Sequence, residues 1–286
     1  MEKLGIIGGS GIYQLDGIKV KKEVAVKTPF GKPSDKFIVA ELDGVEAIFL
    51  PRHNRNHSIS PSKINYRANI YGMKKLGVGW IVSVSACGSL RKEIKPLDFV
   101  VPSQFVDRTN QARQQTFFDD GIVAHVSLAN PVCEKLSDIV VAAVKKVGVV
   151  CHIGKTYINM EGPQFSTIAE SNLYRSWGMD IIGMTNMVEA RLCREAEICY
   201  ATLAAVTDYD CWYESEEQVT VDMIIANLKK NVENSKKVIK EIIHSVRGKG
   251  PCSCPESLKY AIMTRPDAIS LEIREKLDIL IGKYVK

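Results

Sequence analysis

The chain has 286 residues, 45% of them hydrophobic and 25% charged, with a net charge of +5. These values are ordinary for a globular protein with a sizeable core, and no apolar run approaches the ~20 residues of a membrane span. The positive charge is mild and spread out, with no basic patch interleaved with aromatic residues, so neither nucleic acid nor a membrane is an expected partner.

Residues 1–4 carry no charged-then-apolar leader, so the expected location is the cytoplasm. Eight cysteines in this length do not read as a disulfide framework, and Cys133 and Cys199 sit in apolar settings where a buried thiol is the ordinary reading. Residues 4–11 read as a strand running into a Gly-rich turn. Its bare amides and Ser10 can face an anion, although Gln14 breaks the dinucleotide-binding fingerprint. Strands follow at 24–26, 37–42 and 47–50, with an Asp43-Gly44 hairpin turn between the last two. Arg52, His53, Arg55 and His57 then form either an anion site or a structural basic loop. His53 and His57 lack a third ligand, so no metal is expected there.

Ser60-Pro61 predicts a helix start and Gly77 its end. Residues 80–85 read as a buried strand closed by a small-residue turn at 85–89, and 98–102 as another strand. Residues 108–120 form a long polar loop. His125 lies in an apolar stretch, the ordinary setting of a structural histidine. A helix is predicted from Asn130-Pro131 to Val147, stopped by Gly148. A strand at 156–160 leads to Glu161-Gly162-Pro163-Gln164-Phe165, and Thr167 with Glu170 forms a capping box. A strand at 180–185 ends at Met184 and Thr185, with a helix at 189–196.

The apolar run 198–206 predicts a strand buried on both faces, with Asp208 and Asp210 at its mouth. Strand alternation puts both acids on one face, where they can share one proton and meet a nitrogen heterocycle; a solvated turn is the alternative. A long amphipathic helix spans 221–246, residues 249–255 break it, and Ser270 caps a last helix. The expected class is α/β: one domain over 1–248 with a C-terminal helical extension over 249–286. Ser10, Arg52, His53, Ser85, the Ala86 amide and Thr185 all fall at strand ends and together suit phosphate.

The motifs Gly5-Ile6-Ile7-Gly8-Gly9-Ser10-Gly11, Arg52-His53, Pro61-Ser62-Lys63-Ile64-Asn65-Tyr66, Ala86-Cys87-Gly88-Ser89-Leu90-Arg91, Glu161-Gly162-Pro163 and Thr207-Asp208-Tyr209-Asp210-Cys211-Trp212 occur in one order. In them the chain resembles the 5'-methylthioadenosine phosphorylases of the trimeric purine nucleoside phosphorylase superfamily. The resemblance implies a mixed, barrel-like central sheet flanked by helices. It also implies cleavage of methylthioadenosine by phosphate, with no metal and no organic cofactor, in a homotrimer or a dimer of trimers. By the same match Ser10, Arg52, His53, Ser85, Ala86 and Thr185 bind phosphate, and Met184 lines the ribose. Phe165 packs on the base, and Asp208 and Asp210 contact N7 and the 6-amino group. Val221, Ile224 and Ile225 line the methylthio pocket, and His125 reaches a neighbouring subunit's site. Cys252 and Cys254 resemble a pair that forms a disulfide in archaeal members; two free thiols are the alternative. The chain departs from the family at Asn54, Asn56, Gln164 and Val188. The rival readings are a purine nucleoside phosphorylase acting on adenosine, inosine or methylthioinosine, and an inactive nucleoside- or phosphate-binding module.

Overall fold

The computed structural model describes residues 3–9, 11–12, 15–110, 112–213, 221–246 and 252–285, with the backbone alone for 221–225. Ser10 and the side chains of Val221, Ile224 and Ile225 therefore lie outside the described residues.

Nine strands and six α-helices occur among the described residues. They run β1 (Lys3–Gly8), β2 (Lys19–Val24), β3 (Phe37–Leu42), β4 (Val45–Pro51), α1 (Tyr66–Lys75), β5 (Val78–Ser89), β6 (Phe99–Arg108) and α2 (Glu134–Val147). They continue with β7 (Cys151–Met160), α3 (Ile168–Ser176), β8 (Ile181–Gly183), α4 (Asn186–Glu195), β9 (Cys199–Tyr209), α5 (Val221–Ser245) and α6 (Leu271–Ile281). One mixed sheet joins all the strands in the order β2-β3-β4-β1-β5-β8-β7-β6-β9. Because β9 also pairs with β5, the last five close into a barrel. The expected α/β class and barrel-like sheet are what the chain adopts.

Alternation along β9 shows how the sequence divides its faces. Cys199, Ala201, Leu203 and Ala205 face one core with α2 and α5, while Ala204 and Val206 face the barrel interior. That interior takes Cys87, Val100, Tyr157 and Ile181 from the other four strands. A third core gathers α1, α4 and the C-terminal residues Leu258 to Val285 around Phe37, Ile48 and Leu50.

Several local expectations need correction. The helix expected from Ser60 to Leu76 is broken. A 3-10 turn covers Pro61–Lys63, and α1 starts afresh at Asn65, whose side chain accepts from the Ala68 amide. Residues 85–89 are strand rather than turn, because β9 pairs all five on one side and β8 pairs Gly88 and Ser89 on the other. The strand expected at 24–26 lies at Lys19–Val24, and the one expected at 98–102 runs on to Arg108. Helix α2 begins at Glu134 with Cys133 as its cap, not at Asn130-Pro131. The Asp43-Gly44 turn, the Thr167–Glu170 capping box, the Gly148 stop and the Ser270 cap form as expected.

Candidate active site

A buried polar network centres on Arg52 and Glu189. Arg52, one residue beyond β4, is 3% exposed. Its Nε donates to Glu189 Oε1 at 2.5 Å, Nη1 to the Val84 carbonyl at 3.1 Å and Nη2 to Ser83 Oγ at 2.6 Å. Glu189 also accepts from Ser83 Oγ and from the Tyr200 hydroxyl. Asn186 Nδ2 donates to Ser83 Oγ and Thr202 Oγ1, while Asn186 Oδ1 accepts from the Tyr157 hydroxyl. The ends of β1 and β4, the middle of β5 and the start of α4 are thereby fixed against one another; the Arg52 amide donates to the Gly8 carbonyl. Most of the Arg52 guanidinium is engaged inside the protein, so its first role is to hold this junction. Sequence reasoning missed Glu189, Asn186 and Ser83, because their partners lie far away in the chain.

His53 is half-buried, and its Nδ1 lies 2.7 Å from the Ile59 carbonyl. Burial, reinforced by the Arg52 charge, pushes its pKa down to about 4. The ring is thus neutral near pH 7. Nδ1 must carry the proton to meet a carbonyl, which leaves Nε2 as an acceptor. The departure at Asn54 shapes this loop. Asn54 sits at φ 57°, and its Oδ1 accepts from the amides of Asn56 and Ser58. Arg55 is not part of an anion site: it turns outward to pair with Asp35 and Glu23.

Ser85 Oγ is shielded from solvent and makes no hydrogen bond among the described residues, and Ala86 beside it is exposed. Thr185 is buried at the N-cap of α4, where the helix dipole favours an anion, and its hydroxyl caps nothing. Next to it, Met184 packs over Gly162. Gly162 sits at φ 72°, a conformation that favours glycine, and a Cβ there would meet Met184 Sδ at 2.4 Å. Glu161 is held by Arg113, whose Nε lies 2.9 Å from Oε1, and by Ser62 and the Asn110 amide. Burial opposes its ionisation, but these donors outweigh it and keep its pKa below the usual value. Arg113 also donates to the Met184 carbonyl at 2.5 Å, so it locks the long polar loop onto the ends of β7 and β8.

At the barrel mouth the β5–β9 register slips by one residue, pairing Cys87 with Val206 but Gly88 with Asp208. Thr207 is the extra residue, and such irregularities re-aim the side chains that follow them. The Thr207 hydroxyl donates to Asp208 Oδ1 at 2.5 Å. Burial raises the Asp208 pKa; the Thr207 bond opposes this and the Asp210 charge adds to it. Asp210 is 7% exposed, its amide donates to the Ser89 carbonyl at 2.9 Å, and its Oδ2 is buried without a partner among the described residues. Cys211 Sγ donates to the Ser166 carbonyl, which brings the loop bearing Phe165 alongside Asp210. Phe165 itself is 82% exposed, with a free face. One turn apart, Asn227 and Asn231 donate to the carbonyls of Thr207 and Val206, so the first turns of α5 project past this strand end. His125 lies apart, exposed, with its amide on the Ala261 carbonyl. A polar cleft of about 540 Å³ lined by Asp107, Thr109, Arg113, Gln114, Gln115 and Arg191 contains none of the predicted site residues.

The chain is similar to proteins of a known family. The sequence profile of the phosphorylase superfamily matches residues 3–244. The S-methyl-5'-thioadenosine phosphorylase of Geobacter sulfurreducens is 54% identical over 99% of both chains, and that of Synechocystis sp. is 54% identical over 98% of this chain and 87% of its own. A methylthioadenosine phosphorylase from an antarctic soil metagenomic library superposes with a TM-score of 0.94 at 48% identity, covering 98% of both chains. The Schistosoma mansoni methylthioadenosine phosphorylase in complex with tubercidin gives 0.83 at 34% identity, over 91% of this chain and 96% of its own. The chain belongs to the phosphorylase superfamily, among the S-methyl-5'-thioadenosine phosphorylases.

Proposed function

We propose that the chain catalyses reversible phosphorolysis of 5'-methylthioadenosine to adenine and 5-methylthioribose 1-phosphate. The observation that carries the choice of base is Asp210 Oδ2, a buried acceptor without a donor among the described residues, beside Asp208, whose carboxyl burial pushes above its ordinary pKa. An orphaned buried acceptor costs roughly 1–3 kcal/mol unless a ligand satisfies it. The 6-amino group of adenine would do so, whereas a 6-oxo group would face it acceptor to acceptor.

In this reading a phosphate oxygen bonds to C1' of the ribose as the C1'–N9 bond breaks. The bonding pair leaves with the purine, and Asp208 supplies a hydrogen bond or proton at N7. Phosphate lies at the α4 N-terminus against Thr185, Ser85 Oγ, the Ala86 amide and Ser10, while the neutral His53 accepts from a phosphate hydroxyl. Arg52 adds positive potential from below more than direct contact. Met184 lines the ribose and Phe165 covers the base. Val221, Ile224 and Ile225 enclose the methylthio group, and His125 serves the site of a neighbouring subunit in a trimer. Phosphate is the co-substrate, and the chemistry calls for no organic cofactor.

Base release from methylthioadenosine, adenosine, methylthioinosine and inosine in phosphate buffer tests the reading. The adenine compounds should react faster, by up to roughly 10⁴-fold if the polar mismatch is fully buried. Activity confined to the inosine compounds would overturn the base assignment, and none with any of the four would leave a binding module.

A further inference from the structure

We propose that Cys133, Cys199, Cys252 and Cys254 form a tetrathiolate site for one zinc ion that fastens the C-terminal segment to the barrel. The four Sγ atoms all lie within 4.8 Å of one another. A zinc ion bound at about 2.3 Å by four sulfurs makes a tetrahedron with edges of about 3.8 Å. Cys199 Sγ and Cys252 Sγ, now 3.1 Å apart, would separate by about 0.7 Å to adopt it, and the widest pairs would close by up to about 1 Å. All four thiols are free, and Cys133, Cys199 and Cys254 are buried. The donor set contains sulfur alone, which selects a soft, tetrahedral ion, and four protein ligands leave no open position for substrate. The site is structural rather than catalytic.

The backbone already holds these ligands in place. Cys133 caps α2, and its amide donates to the Tyr200 carbonyl, next to Cys199 at the start of β9. Cys254 opens a 3-10 turn, and the Ser257 hydroxyl donates to its carbonyl at 2.7 Å. Four residues on, the Leu258 amide donates to Glu197, two residues before Cys199. As each sulfur bonds the metal its thiol proton passes to solvent, so four protons leave and no electron moves. The resulting double negative charge lies at the positive end of the α2 dipole. The site departs from the family expectation of no metal and from a Cys252–Cys254 disulfide: it uses all four sulfurs at once, each as a free thiol. From Cys199 to Asp208 the strand covers about 30 Å at ~3.3 Å per residue, well away from the proposed chemistry.

The full chain, purified under reducing conditions without chelators, should contain one zinc per chain by elemental analysis. Titrating the thiols with a mercurial should release it. The Cys252→Ser/Cys254→Ser variant should lose the zinc and melt several degrees lower while retaining base release. The Cys211→Ser variant should keep the zinc. If the double variant does not fold, cobalt added to reduced, chelator-stripped wild type decides instead; the intense visible bands of tetrahedral thiolate cobalt should develop and saturate at one equivalent. A chain that is metal-free as isolated and, once reduced, takes up neither zinc nor cobalt would overturn the proposal. So would iron alone at the site, or zinc that survives loss of both Cys252 and Cys254.

Discussion

At the level of single residues, two carboxyl groups are held away from their ordinary ionisation for opposite reasons of use. Asp208 is kept protonated more readily by burial and by Asp210, which suits a donor to a leaving purine. Asp208→Asn should lower kcat by about 10²-fold or more, the range of lost acid catalysis. The KM for phosphate should change little, and steady-state kinetics returning kcat within twofold of wild type would sink the role. Glu195, the last residue of α4, is displaced without any evident chemistry. Burial lifts its pKa to about 7, against the opposing donors Thr116 Oγ1 at 2.6 Å and the Phe117 amide at 2.7 Å. Its folded pKa lies above the unfolded value of 4.5, so its contribution to stability is fully present below pH 4.5 and is lost as the pH rises through 7. At 1.36 kcal/mol per unit that loss approaches about 3 kcal/mol. Glu195→Gln keeps an acceptor for the Phe117 amide and an amide donor for the Thr116 hydroxyl. Its urea midpoint should therefore exceed that of wild type at pH 8 and converge with it near pH 4; a constant offset at all pH values would contradict this.

Between elements, the Arg52–Glu189 pair is the joint of the site, tying the end of β4 to α4 across 137 residues of sequence. Both side chains are almost fully buried, so removing one partner strands a charge, which typically costs 3–5 kcal/mol. Glu189→Gln should lose stability on that scale by chemical denaturation, and Arg52→Met on a Glu189→Leu background should recover a substantial part of it. A double variant that loses the sum of the two single losses would mean that the pair is not coupled. Much of the local structure was legible beforehand, where one residue type has one physical reason to be present. Asp43-Gly44 supplies two positive φ values, Thr167 with Glu170 closes a capping box, and apolar, partly β-branched runs make β3, β4 and β9. The turn reading at Ser85–Ser89 failed because small residues serve two purposes. Here they let β5 be paired on both sides, and a Cβ on Gly88 would already meet Ile182 Cγ2 at 3.1 Å. The slip at Thr207 and the Arg52–Glu189 pair leave no local signature, since each depends on where a distant strand or helix comes to lie.

Across the whole molecule, residues 252–285 complete a core that the preceding chain leaves open, although the superfamily profile ends at 244. Leu258, Ile269, Ile273, Leu277, Leu280, Ile281 and Val285 are all buried against α1, α4 and β3. At roughly 1.5–3 kcal/mol each, their burial matches or exceeds the 5–15 kcal/mol by which a typical domain is stable. The segment also satisfies polar groups. Glu197, 4% exposed, accepts from the Leu258 amide and the Tyr284 hydroxyl and pairs with Lys283, and the Tyr71 hydroxyl donates to the Lys276 carbonyl. A chain ended after Val246 would bare an apolar face and leave the Glu197 carboxylate buried without those donors. It should accumulate as insoluble protein or unfold without a cooperative transition, even when saturated with phosphate and adenine. Restoring residues 252–285 as a separate peptide should not rescue it unless the two are co-expressed, because the exposed face aggregates before the peptide arrives. A soluble truncated chain with a sharp thermal transition and undiminished base release would show instead that the C-terminal segment is an appendage to a core complete without it.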